Sequence, residues 1–545
     1  MKTLFVPNVY AETIYNGFIL SPCNFHNKRL YKYIIASLSD GRIEMVFRPR
    51  VKNAQLVSGK AIIDKKTGKI LYVTYRGELD MLEFKTKLQM DGETDKIAPV
   101  YSETEMKFKF IGNIVSGIYK VFYGIENTHT DGLNCKKSSD TLIDKLRPLP
   151  IDEEMANIYK KQEDKTNTDK KTGKKIIGAW GDYFIDRING NFGAKSQGTY
   201  KVSPIFNPLY IGYSSNKGVT YRMKLSGRYD FSDNSGVALT VNLGYSFKQK
   251  QLYMKIPFSF QISKWISVET EFGTGNRITS SDVLDKIKNE KFDSIRWDNM
   301  KLDYFKDMYW KVRTNVKLGK KWNARPGIIY HRRSAVDKAG FKLSDEPTEY
   351  MSFAPTLQIQ FQPLPDDAPV VMFDYERGIK SVMKSKMDYE RIETDLAWKR
   401  RMHSMKILSL KTGFGFYTSR SKNDYFLDYT NFRYENVPGG WDDDWTGDFQ
   451  LLNSNWYNAS KYYVRGNLTY ESPMMVFSKL PLVGRYIETE RIYANVLFAE
   501  HVNPYVEFGY GLTNKIFSAG IFCATAKTKF EGFGVRFGLE LFKDW

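Results

Sequence analysis

Long apolar runs are absent from this chain of 545 residues. A transmembrane helix needs about 18 or more consecutive apolar residues, and no stretch of the sequence is that long. The mean hydropathy is −0.46. This pattern excludes a helical membrane protein. A membrane barrel is not excluded, because barrel strands alternate between apolar and polar side chains and their mean hydropathy is therefore polar.

Cysteine is rare, with Cys23, Cys135 and Cys523 far apart along the chain. An odd number at such spacing excludes a disulfide framework. The five histidines are scattered as well, and neither a CxxC nor an HExxH spacing occurs. Because these patterns carry most protein metal sites, the sequence predicts no metal and no cofactor.

Catalytic patterns are also missing. A hydrolase needs a nucleophile, a base and an orienting group, and the sequence has no Gly-x-Ser-x-Gly elbow. The C-terminal part offers only His331, His403 and His501 as histidine bases. We predict that the chain is not an enzyme and keep a barrel enzyme as the least favoured alternative.

Positive charge is in excess, with 81 Lys and Arg against 62 Asp and Glu and a formal net charge of +19. Nucleic-acid binding would usually show a basic helix, a zinc finger or an RNA-binding signature, and none is present. The basic residues are spread through alternating segments and one linker. We therefore predict a basic barrel lumen or a surface facing lipid phosphates, and no nucleic-acid partner.

Aromatic residues are abundant, with 36 Tyr, 36 Phe and 10 Trp making up 15% of the chain. Membrane barrels place such residues in girdles at both interfaces. A soluble, aromatic-rich β protein that binds carbohydrate remains an alternative on composition alone.

From about residue 200, side chains alternate with the period of two that is typical of strands. In 219–231 the apolar set is Val219, Tyr221, Met223, Leu225, Tyr229 and Phe231. Similar stripes occur in 237–247, 252–262 and 533–541. The first three run for about 12 residues, which matches a membrane-spanning strand of ~9–11 residues better than a soluble strand of ~5–6.

The fold class predicted is all-β: an antiparallel transmembrane β-barrel of about 16 strands at 201–545, preceded by a β-rich periplasmic domain at 1–145. Between them, 146–200 is expected to be a linker with a short helix at 151–161 and a charged stretch. The barrel pattern breaks at 279–306 and at 433–458, which we interpret as long loops. Six strands are predicted in the first domain: 30–38, 43–48, 59–63, 70–75, 83–88 and 107–110.

Several stretches carry a family resemblance. They are Gly17–Pro22, Val46–Arg50, Arg147–Pro150, Phe206–Leu209, Gly447–Leu452 and Pro504–Gly511. In this order they resemble an uncharacterised outer-membrane barrel family, in which a carboxypeptidase-regulatory-like domain often precedes a domain of unknown function. The resemblance implies a Gram-negative cell envelope protein. We expect this chain to be truncated at its start, without the regulatory-like domain and the signal peptide. Only the four residues 3–6 separate Lys2 from Pro7, which is too short for the apolar region of a signal peptide.

A more distant resemblance is to the BamA/TamA superfamily of assembly and translocation barrels. Val464-Arg465-Gly466-Asn467 is similar to the Val-Arg-Gly-Phe/Tyr loop motif of that superfamily. The same residues also fit an alternating strand over 462–471. We favour the interpretation of Arg465 as a strand residue, and no repeated POTRA-like units precede it.

Two sets of residues are candidates for function. The candidate lumen-facing basic residues are Arg222, Lys224, Arg228, Lys255 and Arg465. The candidate C-terminal barrel signal, which resembles the signal read by barrel-assembly machinery, is Phe533, Val535, Phe537, Leu539, Leu541 and Trp545. The expected partners are outer-membrane lipid, the assembly machinery during insertion, and other envelope proteins.

These features favour a barrel in the outer membrane, with the N-terminal domain in the periplasm, that acts in envelope biogenesis or translocation. The alternative is a passive channel that prefers anions because of its basic residues.

Overall fold

The protein is described by a computed structural model. It describes 7–123 without 16, 80–81, 92–98 and 111–112; 157; 188–278 without 194–196, 204–209 and 215–216; 304–420 without 339–341, 343–346 and 365–367; 429; 445–452; and 460–539 without 482, 501 and 515–516. Two compact units divide the chain: Met1–Gly178 with Met402–Lys406 and Ser472–Glu490, and the remainder. Among the described residues, no helix has the length and apolar character needed to cross a membrane.

The first unit is built on a seven-stranded antiparallel sheet in which consecutive strands are neighbours. Its strands are β3 (Tyr31–Ser37), β4 (Arg42–Pro49), β5 (Ser58–Asp64), β6 (Ile70–Leu79), β7 (Leu82–Met90), β8 (Pro99–Phe110) and β9 (Asn113–Phe122). A two-stranded hairpin, β1 (Thr13–Ile14) and β2 (Ile19–Leu20), and a 3-10 helix at Phe25–Leu30 precede it. All six strands predicted in this domain are present, and β1, β2 and β9 are additional.

One face of this sheet buries the core of the unit. Ile19 and Leu20 of the hairpin pack with Phe47 and Val73 of the sheet, and all four are essentially inaccessible to water. The Tyr15 hydroxyl lies 3.0 Å from the Tyr75 hydroxyl and 2.7 Å from Thr86 Oγ1, so these buried polar groups are satisfied, as an apolar core requires. Burial raises the pKa of Tyr75 well above its ordinary value, and it raises the pKa of the Cys23 thiol to about 12.

Residues 402–406 and 472–490 complete the first unit. The Glu12 carboxylate lies 3.0 Å from His403 Nδ1, and the amide of Asn53 donates to the Ile487 carbonyl at 2.8 Å. Within 472–490, the buried Glu490 carboxylate accepts hydrogen bonds of 2.7–3.2 Å from the backbone N–H groups of 475–478. These contacts give two segments that are distant in sequence a fixed conformation within the N-terminal unit.

The second unit is a single sheet of eighteen strands in chain order from β10 to β27. The strands are β10 (Ile188–Phe192), β11 (Gly198–Val202), β12 (Ile211–Ser214), β13 (Gly218–Ser232), β14 (Ser235–Ser246), β15 (Gln251–Gln261), β16 (Ile266–Ile278), β17 (Tyr304–Leu318), β18 (Trp322–Ala335), β19 (Glu349–Phe361), β20 (Val370–Gly378), β21 (Tyr389–Met402), β22 (Lys406–Ser419), β23 (Tyr462–Ser472), β24 (Thr489–Ala499), β25 (Tyr505–Thr513), β26 (Phe517–Ala526) and β27 (Lys529–Leu539). Short 3-10 helices occupy Val382–Lys384, Phe477–Lys479 and Gly484–Tyr486.

The sheet differs from the sequence-based expectation in number and in starting point. The described residues form eighteen strands where about sixteen were expected, because the short β10, β11 and β12 come before the long ones. β11 pairs with 225–229 of β13, and β12 pairs with 218–221 of the same strand. The sheet begins at Ile188, inside the stretch expected to be linker. Three residues of the expected loop 279–306 belong to β17. The charged stretch, and the expected helix except for Asn157, lie outside the described residues.

Each long strand presents an apolar face and a polar face. In β17 the exposed Trp310 alternates with the buried Asp307 and Tyr309. The register pairs Tyr309 with His331 of β18, and His331 with Ser352 of β19, so the polar positions continue from strand to strand. We call these two sides the apolar face and the polar face. The exposed apolar face includes Leu239, Phe258, Ile328, Phe414, Leu468, Phe508 and Ile521.

The strands have two ends, which we call end A, where β17 begins, and end B, where β17 ends. Connections at end A span 247–250, 279–303, 336–348, 379–388, 420–461, 500–504 and 527–528. Connections at end B span 233–234, 262–265, 319–321, 362–369, 403–405, 473–488 and 514–516. The longest connections are therefore at end A.

Candidate functional site on the polar face

A buried ion cluster joins three strands on the polar face. The Asp307 carboxylate of β17 is fully buried and lies 2.7 Å from Arg277 Nε of β16. Its other oxygen is 2.9 Å from His331 Nδ1 and 3.2 Å from Arg333 Nε, both on β18. Because a buried carboxylate is costly unless it is paired, the two arginines and the His331 ring are what allows Asp307 to occupy this position.

A second buried cluster lies further along the sheet. Arg391 of β21 bridges Glu376 of β20 at 2.6 Å and Glu393 of its own strand at 2.9 Å. The Tyr389 hydroxyl donates to Glu376 at 2.6 Å, and the Tyr463 hydroxyl of β23 donates to Glu393 at 3.0 Å. Each carboxylate therefore has both a cation and a hydroxyl partner.

Arg465 of β23 forms a third pair with Asp395 of β21. Its guanidinium lies 2.5 Å from the Asp395 carboxylate, and both side chains are buried. Gly413 of β22 lies between them in the sheet, and a Cβ there would lie 2.3 Å from the Asp395 carboxylate. The absent side chain gives the two charged groups room to meet across the intervening strand.

The segment 445–452, part of the connection between β22 and β23, packs on the polar face. Its anchor is Glu507 of β25, whose fully buried carboxylate accepts hydrogen bonds from the backbone N–H of Gln450 at 2.9 Å and of Leu451 at 2.7 Å. Asn495 of β24 donates to the Asp448 carbonyl at 3.2 Å. Arg536 of β27 donates to the Gln450 carbonyl. We call 445–452 the inserted segment.

Apolar side chains of the inserted segment fill spaces left by glycines. The Trp445 ring packs edge-on against Phe522, with centroids 5.7 Å apart. A Cβ at Gly520 of β26 would lie 2.7 Å from that Trp445 ring, and a Cβ at Gly534 of β27 would lie 2.6 Å from Leu451. A side chain at Gly520 would therefore displace the Trp445 ring, and one at Gly534 would require the Leu451 side chain to move.

The structure places all five candidate basic residues on the polar face but in two settings. Arg222, Lys224, Arg228 and Lys255 lie on β13 and β15 and keep partial or full exposure. Arg228 pairs with Asp230 at 2.9 Å. Arg465 is buried, and it alone of the five belongs to the ion clusters.

The candidate C-terminal signal lies on the apolar face as far as the structure describes it. Phe533, Val535 and Phe537 are exposed there, and Leu539 pairs in register with Phe517. Leu541 and Trp545 lie outside the described residues.

Sequence reasoning missed the acidic members of these clusters and the inserted segment. Glu376, Glu393 and Glu507 occupy the same alternation phase as the basic residues, so a search for acids opposite bases in neighbouring strands would have found the first two. No periodicity marks 445–452, because it is irregular. The described residues contain no cluster of three or more His, Cys, Asp or Glu that could hold a metal ion.

The strand lengths, the exposed apolar face and the charged, buried polar face together define an all-β protein with an antiparallel membrane β-barrel and a β-rich domain before it. The fold class predicted from the sequence is confirmed. The family described as "Family of unknown function (DUF5686) C-terminal domain" matches 187–365 and 361–512. The chain belongs to this family, which confirms the resemblance to a family with a domain of unknown function.

Solved structures with similar coordinates include BamA from Haemophilus ducreyi lacking POTRA domains 1-3, with a TM-score of 0.38, 10% identity, and coverage of 74% of this chain and 82% of that chain. CdiB from Acinetobacter baumannii has a TM-score of 0.35, 8% identity and 65% coverage of each chain. The copper transporter OprC has a TM-score of 0.27, 8% identity, and coverage of 94% and 68%. None of the curated proteins compared with the sequence matches it.

Proposed function

We propose that the protein is an outer-membrane barrel that acts in envelope biogenesis or translocation, with its N-terminal domain in the periplasm. Fifteen strands, β13 to β27, have 9–15 residues, and a tilted membrane strand needs about 9–11. Their apolar face exposes large hydrophobic side chains, which is unfavourable in water and favourable in lipid.

The connections support this orientation. Outer-membrane barrels have short periplasmic turns and longer extracellular loops. The longest connections, 420–461 and 279–303, are at end A, so end B is the periplasmic end in this proposal. Residues 402–406 and 472–490 belong to the same compact unit as the N-terminal domain.

The observation that carries the proposal is the filling of the polar face by the inserted segment. Glu507, Trp445 and Leu451 hold a part of the β22–β23 connection against β24 to β27. An open passive pore has no need for a dedicated segment of this kind. A barrel that admits its substrate only at certain stages has a use for one, because the release of a packed segment would open a path that its packing closes.

Depletion of the protein, followed by quantitative proteomics of the outer membrane, tests the role. Broad loss of other barrels or surface lipoproteins is expected. A matched depletion of an unrelated barrel of similar abundance controls for general membrane stress. An unchanged outer-membrane composition would contradict biogenesis and translocation.

A passive, anion-preferring channel is the second candidate. Lys224 and Lys255 remain accessible on the polar face near β13 to β15. A small cavity of about 160 Å³ is nearby, lined by Glu269, Glu271, Lys311 and Arg313 among others. Planar-bilayer recording distinguishes the two candidate functions. Steady conductance of the wild-type protein with anion preference favours the channel, and a closed wild-type barrel favours the first proposal.

A further inference from the structure

A patch of cations borders the apolar face at end A. Arg332 of β18 and Glu349 of β19 occupy apolar-face positions at this end and pair at 2.5 Å. Lys338 and Lys386 also interact electrostatically with the Glu349 carboxylate. One carboxylate therefore has three cationic neighbours, which leaves an excess of positive charge beside an apolar surface.

The connection 379–388 adds to this patch. Its backbone is hydrogen-bonded to β19: the Ile379 N–H donates to the Phe353 carbonyl and the Lys386 N–H donates to the Met351 carbonyl, both at 2.9 Å. The tip exposes apolar side chains beside lysines: Ile379, Lys380, Val382, Met383 and Lys384. Met383 is 55% exposed.

The backbone of this tip is held in an unfavourable conformation. Ser381, Met383 and Lys384 have φ values of 74°, 47° and 62°, which non-glycine residues rarely adopt. A hydrogen bond of 2.8 Å from the Ser381 N–H to the Ser385 carbonyl closes the turn. Such conformations persist only where the surrounding structure enforces them, so the apolar tip is presented in a fixed geometry.

The acidic groups nearby do not cancel the charge. Asp388 pairs with Arg377 at 2.9 Å, and Glu390 accepts a hydrogen bond from the Tyr375 hydroxyl at 2.6 Å. The cations of the patch are Lys306, Arg332, Lys338, Arg377, Lys380, Lys384 and Lys386, and the acids are Asp337, Glu349, Asp388 and Glu390. Among these described residues, cations outnumber acids by seven to four.

We propose that this patch binds the phosphate groups of lipopolysaccharide, with Lys384 and Lys386 as the principal contacts and Met383 against the acyl chains. Lysine and arginine suit phosphate oxygens, and basic side chains that border an apolar surface lie at headgroup level. The choice of lipopolysaccharide, rather than a phospholipid, rests on the proposed function, because only that orientation puts end A in the outer leaflet.

The test is native mass spectrometry of the full-length protein in detergent with added lipid A. The variant is Lys384→Glu with Lys386→Glu, and the matched control is Lys320→Glu with Lys321→Glu, two exposed lysines in the turn at end B. Wild type and control are expected to bind lipid A alike, and the variant is expected to bind at least tenfold less. Dephosphorylated lipid A should bind weakly to all three.

Equal lipid A binding by the two variants, or full binding of dephosphorylated lipid A, would overturn the proposal. Competition by inorganic phosphate alone, without any lipid A complex, would identify a simple anion site and would also overturn it. The binding assay and the test of the proposed function can fail independently. Binding is measured on purified protein in detergent, so a loss of lipid A binding in the variant would be observed even if depletion left the outer membrane unchanged.

Discussion

At the scale of single residues, the buried charged side chains of the polar face are stable only because each has partners that offset the cost of its burial. Transferring an ion from water into a protein interior costs several kcal/mol after relaxation, and the cost is offset only by close opposite charges and hydrogen bonds. Asp307, with two arginines and a histidine as partners, and Arg391, with two carboxylates, satisfy that condition. The sequence shows such residues only as polar positions in alternating strands, because the pairing across strands depends on register.

The Arg465–Asp395 pair gives a direct prediction. Arg465→Leu should lower the free energy of unfolding by about 3–5 kcal/mol, because it leaves a buried carboxylate without its cation. The double variant Arg465→Leu with Asp395→Leu should recover most of that loss. Urea titration in detergent micelles measures both.

Arg228→Leu is the matched control for that pair, since Arg228 pairs with Asp230 while its side chain is 67% exposed. Its expected effect is about 0–1 kcal/mol. If Arg465→Leu were equally mild, the pair would not be buried in the folded protein.

Glu507 gives the second prediction. Glu507→Gln replaces one carboxylate oxygen by an N–H donor that faces the donating backbone of Gln450 and Leu451. Losing one hydrogen bond to a charged acceptor costs about 1.5–3 kcal/mol, so these two amides should exchange roughly 10–100-fold faster. Hydrogen exchange with mass spectrometry of the peptide over 445–452 measures the change.

Asp448→Asn serves as its control, because the Asp448 carboxylate is 60% exposed and lies 3.9 Å from Lys411 Nζ. Exchange over the inserted segment should stay close to wild type in this variant. Unchanged exchange in Glu507→Gln would mean that Glu507 does not anchor the segment.

At the scale of elements, regular strands follow from the sequence and the inserted segment does not. Alternation over 219–231, 237–247 and 252–262 predicts β13, β14 and β15, because a strand with one face in lipid must repeat every two residues. The segment 445–452 has no such repeat, and its place depends on glycines more than sixty residues away at Gly520 and Gly534. Only the folded register brings those spaces next to Trp445 and Leu451.

The inserted segment yields a prediction about movement. A Cβ at Gly447 would lie 3.5 Å from the Lys411 Cβ, a separation that suits a disulfide. Gly447→Cys with Lys411→Cys, in a background without the native cysteines, should form a bond that holds the segment on the polar face. If function requires release, complementation of depleted cells should fail when the bond forms and return with a permeant reductant.

The single variants Gly447→Cys and Lys411→Cys control for the substitutions themselves, including the strain of a side chain at the φ of 78° of Gly447. Both singles should complement with and without reductant. A fully oxidised double variant that still complements would show that the segment stays in place during function.

At the scale of the whole molecule, the fold class and the division into an N-terminal β domain and a barrel were accessible from sequence, and the orientation was not. Composition and strand period are properties of the chain itself. Orientation depends on which connections are long and which end each connection occupies, and this requires the strand order. With that order known, the connections 279–303 and 420–461 fall at one end and the turn 319–321 at the other.

The orientation can be tested with cysteines at exposed turns. Thr528, between β26 and β27, lies at end A, and Lys320, between β17 and β18, lies at end B. In a cysteine-free protein expressed with a secretory signal, Thr528→Cys should react with a membrane-impermeant maleimide on intact cells, and Lys320→Cys should react only after the outer membrane is permeabilised. Both sites are exposed turns, so a difference in labelling reports the side of the membrane rather than burial. The reverse pattern would place the longest connections in the periplasm. It would then contradict the proposed orientation of the barrel, and the cation patch at end A would face phospholipid headgroups instead of lipopolysaccharide.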